Sequence, residues 1–133
     1  MTEDEVNLKV KDWLIKKGYT YKGILNTGLG QVPVPDGIRQ VLIDHQGFND
    51  KTKDLIWIEA KGSDTNFSNL LEGYIRTCYA VWHGEGKGYL ACPHIEYERL
   101  IEQLEFVKAV AKATDNIGSI GILDIETGEV TNL

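Results

Sequence analysis

The stretch of sequence that decides the fold is residues 35–62, which read PDGIRQVLIDHQGFNDKTKDLIWIEAKG. It contains two apolar, β-rich runs, residues 37–46 and 55–61, on either side of the polar and turn-like segment 47–54. Two such runs around one polar loop are typical of an antiparallel hairpin. We therefore predict a β-hairpin in this part of the chain.

Two opposite charges lie at the end of the second hairpin strand. Because side chains alternate along a strand, Glu59 and Lys61 are expected on one face of a strand that is otherwise apolar. Burying both charges is costly unless they pair or bind a metal. In an antiparallel pair the start of one strand meets the end of the other, so Asp36 is expected beside Glu59 and Lys61. Asp44 is expected near the turn, opposite residues 53–55, and too far away to join them.

Two converging carboxylates and a lysine suit a hard divalent cation. Mg²⁺ prefers one or two carboxylates, several waters and substrate phosphate. A metal held by Asp36 and Glu59 would polarise a phosphoryl oxygen and lower the pKa of a bound water. Lys61 would orient or deprotonate that water, or neutralise the charge that develops on phosphate. The alternative is a surface salt bridge at the hairpin end, which would contribute little to stability.

A second acid–x–lysine triplet, Glu85-Gly86-Lys87, shows that the triplet alone is a weak pattern. This copy lies in a glycine-flanked turn and has no partner carboxylate nearby in sequence. We interpret it as unrelated to a site. The strand context and the hairpin are what distinguish Glu59 and Lys61.

The rest of the chain predicts helices and strands on both sides of the hairpin. Apolar spacing predicts a first helix over residues 3–17, with Thr2 and Glu5 as a capping box. The other predicted elements are a strand at 19–25, a helix ending at His83-Gly84, a strand at 88–92, a helix at 95–113 and a strand at 117–125. The order is αβββαβαβ, which predicts one α/β domain over residues 1–133 with a central mixed sheet flanked by helices.

Composition and charge exclude several classes of protein. The chain has 133 residues, 42% of them hydrophobic and 26% charged, which indicates a globular domain rather than a disordered or fibrous chain. No apolar run approaches the roughly 18 residues of a membrane span. Two cysteines are too few for a disulfide scaffold, so a reduced, cytoplasmic protein is expected. The net charge of −6 argues against a general nucleic-acid coat.

The charge is unevenly distributed along the chain. Residues 1–61 carry nine basic and nine acidic side chains, whereas residues 62–133 carry five basic and eleven acidic ones. A nucleic-acid surface is therefore expected in the first half.

The pattern Pro35-Asp36 followed by Glu59-Ala60-Lys61 after an apolar run resembles the PD-(D/E)XK motif of restriction-endonuclease-like nucleases. The 22 residues between Asp36 and Glu59 lie within the usual range of that superfamily. The predicted order of elements, a helix, a three-strand meander, then helix, strand and helix, is also similar. The resemblance implies a restriction-endonuclease-like core and Mg²⁺-dependent hydrolysis of DNA phosphodiester bonds, with Mn²⁺ as a substitute metal.

The resemblance also implies roles for individual residues. Asp36, Glu59 and the Ala60 carbonyl would bind the metal, and Lys61 would be catalytic. Many members use a glutamate of the first helix as well, for which Glu5 and Glu3 are both candidates.

Two basic residues are candidate substrate contacts. Arg76 follows the strand of the site, with a helix ion pair to Glu72 as the alternative. Lys9 is the second candidate, with a solvated helix face as its alternative. Residues 26–35 are expected to form a loop that flanks the substrate.

The compact size resembles Mrr-like and Holliday-junction-resolvase-like domains, although the acidic second half departs from the basic resolvases. A homodimer is expected because two symmetric sites would cut both strands of a duplex. Target specificity is expected to come from loops or from a protein partner, since the sequence shows no separate recognition module. The alternative function is a catalytically idle nuclease fold that acts as a DNA-binding or protein-interaction subunit of a DNA-processing or defence complex.

Several further side chains are interpreted as structural. Cys78, Trp57 and Trp82 are predicted in the core. The three histidines lack the spacing of metal ligands, and structural or surface roles are expected for them: His45, His83 and His94.

Overall fold

A six-stranded mixed sheet forms the centre of the molecule, and helices cover both of its faces. The computed structural model describes residues 1–26, 28, 30–32 and 41–133. In chain order the elements are α1 (Glu3–Lys16), β1 (Thr20–Gly23), β2 (Gly30–Val32), β3 (Val41–Ile43), β4 (His45–Phe48), β5 (Leu55–Ala60), α2 (Phe67–His83), β6 (Lys87–Cys92), α3 (His94–Glu102), α4 (Leu104–Ala113), β7 (Ile120–Asp124) and β8 (Val130–Asn132). The predicted α/β fold class and the mixed sheet are confirmed.

The strand order in the sheet is β1-β4-β5-β6-β7-β8. β1, β4 and β5 are antiparallel neighbours and form a three-strand meander, but its middle strand, β4, shares only residues 45 and 46 with the strand predicted at residues 37–46. β5, β6 and β7 run parallel, with α2 and then α3 and α4 as the crossovers, and β8 is an antiparallel edge strand. β2 and β3 pair only with each other, as a separate two-stranded sheet inserted between β1 and β4.

Two apolar clusters hold the layers together. On one face of the sheet α1 packs against the alternate residues of β5, Ile56 and Ile58. On the other face α2 and the following helices pack around Trp57. Because β5 contributes to both clusters, it is buried along most of its length. The residues that carry the α1 contact are Val6, Val10 and Leu14, and those of the opposite cluster include Tyr74, Cys78, Leu90, Leu100 and Val107.

The helix starts follow local sequence. Thr2 is the N-cap of α1, and its side chain accepts a hydrogen bond from the backbone N–H of Glu5. Asn66 caps α2 in the same way, through the backbone N–H of Asn69. These caps confirm the predicted first helix and explain why α2 begins after residue 66.

Three predictions about the elements need correction. The third predicted helix is two helices, α3 and α4, which are separated by a non-helical residue at Gln103. The strand β8 and the β2–β3 pair were not predicted. Trp82 is 62% exposed rather than buried, because the buried face of α2 runs through Tyr74, Cys78 and Val81, and Trp82 lies outside that face. The predictions for Cys78 and Trp57 are confirmed.

Some predictions fall on residues outside the described ranges. Asp36 and the start of the first predicted hairpin strand belong to residues 33–40, which are not described. The predicted loop at residues 26–35 is described only in part, and it contains β2. Within the described residues, no helix is both long and apolar enough to cross a membrane.

Candidate functional site

Glu59 and Lys61 lie at the carboxyl end of β5, where the parallel part of the sheet begins. The two side chains alternate with those that face α1, so they lie on the same side of the sheet as Trp57 and α2. The backbone N–H of Lys61 donates to the carbonyl of Ala91 at 3.0 Å, which extends the pairing with β6 beyond Ala60. The strand therefore holds both charged residues on one face, as the sequence predicts.

Asp44 is the acidic residue that the structure brings to Glu59. It lies between β3 and β4, and the next residue, His45, pairs with Ile58 on β5. The Asp44 Oδ2 atom accepts a hydrogen bond from the Ala60 backbone N–H at 2.9 Å. Its carboxyl group also makes a side-chain hydrogen-bond contact with Glu59. The two carboxyl groups are therefore in contact at the end of the β4–β5 pair.

The predicted position of Asp44 is wrong. The sequence-based register placed Asp44 opposite residues 53–55, whereas Phe48 pairs with Leu55 and the register brings Asp44 beside Glu59. The reason is that β4 continues to Phe48, so the connection to β5 is shorter than the predicted polar loop. Asp36, the acid that the incorrect register selected, lies outside the described residues and stays a prediction.

Burial controls the protonation of Glu59. The residue is only 4% exposed, and its Oε2 atom is buried without a hydrogen-bond partner among the described residues. Burial, and then the contact with Asp44, raise the pKa of Glu59 from 4.5 to about 9, although the positive charges of Arg76 and Lys61 act in the opposite direction. Without a cation, Glu59 therefore holds its proton at neutral pH.

Of the two helix glutamates, Glu3 is the one that reaches the site. Its Oε1 atom lies 3.9 Å from Lys61 Nζ, and burial raises its pKa while the positive charge of Lys61 opposes that effect. Glu5 is exposed, and its backbone N–H is bound to the Thr2 cap. The structure therefore favours Glu3 over Glu5 as the α1 carboxylate.

Gly62 explains how α1 comes so close. A Cβ atom at Gly62 would lie 2.3 Å from the Glu3 backbone nitrogen and 2.6 Å from the Thr2 carbonyl carbon. The next residue, Ser63, donates its backbone N–H to the Met1 carbonyl at 2.7 Å. Only glycine at position 62 permits this approach of the start of α1 to the end of β5.

The two basic residues predicted to contact substrate differ in their relation to the site. Arg76 is half exposed on α2 and pairs with Glu72 at 3.4 Å, and its charge lowers the pKa of Glu59, so it lies near the site. Lys9 is exposed on α1, and no contact among the described residues joins it to the site.

A buried hydrogen-bonded chain, formed by Tyr21, His45 and Asn7, lies directly behind Asp44. The Tyr21 hydroxyl donates to His45 Nδ1 at 2.6 Å, and His45 Nε2 donates to Asn7 Oδ1 at 2.7 Å. This pattern requires a neutral ring, and burial lowers the pKa of His45 to about 4. The chain joins β1, β4 and α1, and it agrees with the structural role expected for His45. Its partners were not predicted, because none of the three residues is close to another in sequence.

A second polar group that sequence reasoning missed lies at the carboxyl ends of β6 and β7. His94 Nδ1 lies 2.6 Å from Asp124 Oδ2, and His94 Nε2 lies 2.9 Å from Glu98 Oε1. The hydrogen bond to Asp124 raises the pKa of His94. Asp124 also accepts from the backbone N–H groups of Glu126 and Thr127, so this group ties a turn to the start of α3.

The donor set at Asp44 and Glu59 fits a hard divalent cation. Two carboxyl groups in contact, one of them with a buried oxygen that has no partner among the described residues, can supply the protein ligands of a Mg²⁺ site. The carbonyl of Ala60 would supply a further oxygen. Among the described residues, no group of three histidine, cysteine, aspartate or glutamate side chains is already arranged to hold a metal.

Comparisons with known proteins give no match: no family model matches the chain, and neither a curated protein nor a solved structure matches it. The geometry of this site is therefore the feature of the molecule that indicates a function.

Proposed function

We propose that this protein is a Mg²⁺-dependent nuclease that hydrolyses DNA phosphodiester bonds. The observation that carries the proposal is the contact of Asp44 with the buried Glu59, on the strand that also carries Lys61. With Asp44 as the first acid, the chain still resembles the PD-(D/E)XK pattern, because 14 residues separate Asp44 from Glu59-Ala60-Lys61. The meander β1-β4-β5 followed by α2 and β6 supports a restriction-endonuclease-like core.

Each residue has a role that follows from its position. Asp44, Glu59 and the Ala60 carbonyl would hold the cation, which polarises a phosphoryl oxygen and lowers the pKa of a bound water. Lys61 would place its ammonium group beside the attacking water and the phosphate, where it orients the water and offsets the developing negative charge. Glu3, 3.9 Å from Lys61 Nζ, keeps the ammonium group at the carboxylates. Arg76 is close enough to the site to contact a neighbouring phosphate.

A cleavage assay with paired variants tests the proposal. Wild type, Asp44→Asn and Lys61→Ala are incubated with plasmid, single-stranded and branched DNA in Mg²⁺ or Mn²⁺ at low salt. Lys87→Ala is the matched control, because Lys87 belongs to the second acid–x–lysine triplet and is exposed. We expect wild type and Lys87→Ala to cleave, and Asp44→Asn and Lys61→Ala to lose at least about 100-fold in rate.

The same assay separates the two candidate acids and the alternative function. Asp36→Asn should cleave at the wild-type rate if Asp44 is the metal ligand. Equal cleavage by wild type and Lys61→Ala would contradict the proposal. Binding of DNA with no cleavage in either metal would instead support a catalytically idle nuclease fold. Sedimentation of the protein with and without duplex DNA tests the homodimer that double-strand cleavage would require.

A further inference from the structure

Gly73 lies in the middle of α2, where a glycine is unusual. Glycine is among the least favourable residues in a helix interior, because it loses more backbone freedom on folding than other residues do. Gly73 is buried, and its backbone has no positive φ angle that would require glycine. Neither helix propensity nor backbone conformation explains a glycine at this position, so we looked to the side chains that pack against it.

The side chain of Lys61 occupies the space that a side chain at position 73 would fill. A Cβ atom at Gly73 would lie 2.9 Å from Lys61 Cε and 3.1 Å from Lys61 Cγ, and 3.3 Å from Leu90 Cδ1. The stem of Lys61 thus runs across α2 at the one residue that has no side chain. The Lys61 side chain is 22% exposed, and its Nζ atom lies 3.9 Å from Glu3 Oε1.

We propose that Gly73 is a positioning residue for Lys61, because its missing side chain leaves the space in which the lysine stem is held. The effect on cleavage rests on the proposed function, whereas the packing of Lys61 against Gly73 does not. Gly73 itself touches neither metal nor substrate; it acts through the direction that it gives to Lys61. A methyl group at position 73 would meet the flexible end of Lys61, so the fold can accept it by moving the lysine rather than the helix.

Gly73→Ala, Lys61→Ala and the double variant form a cycle that tests the proposal. Single-turnover cleavage is measured at saturating Mg²⁺, Mn²⁺ affinity by calorimetry, and thermal stability by melting. We expect Gly73→Ala to lower the cleavage rate about 10- to 100-fold, because small displacements of a catalytic group are costly. The Kd for Mn²⁺ should change less than about twofold, since Asp44 and Glu59 are untouched. In the Lys61→Ala background, Gly73→Ala should change the cleavage rate no further.

The melting temperatures give a second readout that needs no activity. With the lysine stem removed, alanine fits and restores helix propensity, so Gly73→Ala should raise the Tm of Lys61→Ala by about 4 °C. In the chain that keeps Lys61, the gain should be small or absent. Ser68→Ala, at an exposed position of α2, is the control for helix propensity and should give the same shift in both backgrounds.

Two results would overturn the inference. One is a wild-type cleavage rate in Gly73→Ala; the other is an equal Tm change from Gly73→Ala in both backgrounds. If the wild type cleaves no DNA, the proposed function fails, whereas the melting cycle still decides whether Gly73 and Lys61 are coupled.

Discussion

Glu59 is buried where a negative charge would be costly, so in the metal-free protein its carboxyl group keeps its proton. One of its carboxyl oxygens has no hydrogen-bond partner in the part of the chain that the structure describes, and the pKa of about 9 keeps the proton on the carboxyl group at neutral pH. The unfolded chain loses that proton near pH 4.5, so it binds fewer protons than the folded state between pH 4.5 and 9. Stability must therefore fall as pH rises through this window, by at most about 1.4 kcal/mol per pH unit.

Glu59→Gln tests this effect, since glutamine keeps the shape of the side chain and cannot ionise. In a chelating buffer, the variant should exceed the wild type in free energy of unfolding by about 1–3 kcal/mol at pH 8.5. At pH 5 the two proteins should differ by less than about 1 kcal/mol. Urea denaturation at the two pH values measures the difference, and an equal difference at both would show that Glu59 ionises normally.

At the scale of elements, the site depends on where α1 meets the end of β5. The start of α1 lies against Gly62, and the middle of the helix is bound through Asn7 to His45 on β4. Glu3 is carried to Lys61 by the first of these contacts. The helix thus contributes to the site by its placement, and its own sequence does not specify that placement.

Gly62→Ala should separate the helix from the site. The added methyl group would lie 2.3 Å from a backbone atom of Glu3, so relief requires α1 to move. We expect a loss of about 1–3 kcal/mol in unfolding free energy and a weaker Mg²⁺ affinity. Calorimetric metal titration and urea denaturation check both effects. A Gly62→Ala protein with unchanged stability would contradict the contact.

At the scale of the whole molecule, two buried groups make opposite contributions to the pH dependence of stability. His45 stays neutral because its pKa is about 4, whereas the unfolded chain gains a proton near pH 6.5. Its contribution is therefore lost as pH falls from 6.5 to 4. Glu59 acts in the opposite direction above pH 4.5, so the two effects offset each other between pH 4.5 and 6.5.

The offset can be removed with one substitution. Metal-free wild type should change little in stability between pH 4.5 and 6.5, whereas Glu59→Gln should lose stability steadily as the pH is lowered through that range. The loss should approach about 1 kcal/mol per pH unit near the lower end. Urea titrations at four pH values measure it, and a flat profile in the variant would mean that His45 takes up a proton without cost.

Much of the fold follows from sequence, because α1 and α2 carry a periodic apolar pattern and β5 and β6 are short apolar runs. β8 and the β2–β3 pair were missed, since each is only three residues long. In the site, the shared face of Glu59 and Lys61 follows from alternation along one strand. The position of Asp44 beside Glu59 depends on the register between β4 and β5. That register was predicted incorrectly because the connection between the two strands is shorter than the predicted loop. The choice of Glu3 depends on the contact with Gly62, which no local pattern records.

The hydrogen bond from the Ala60 N–H to Asp44 has a spectroscopic consequence. It places a backbone amide on a candidate metal ligand, one residue from Glu59. In an ¹⁵N-labelled protein, the Ala60 cross-peak should shift when a diamagnetic cation such as Mg²⁺ displaces the proton of the carboxyl pair. The amide cross-peaks from the middle of β7, which lies on the far side of β6 from β5, should not shift. The sheet therefore contains its own probe of metal occupancy, which can be followed without any substrate.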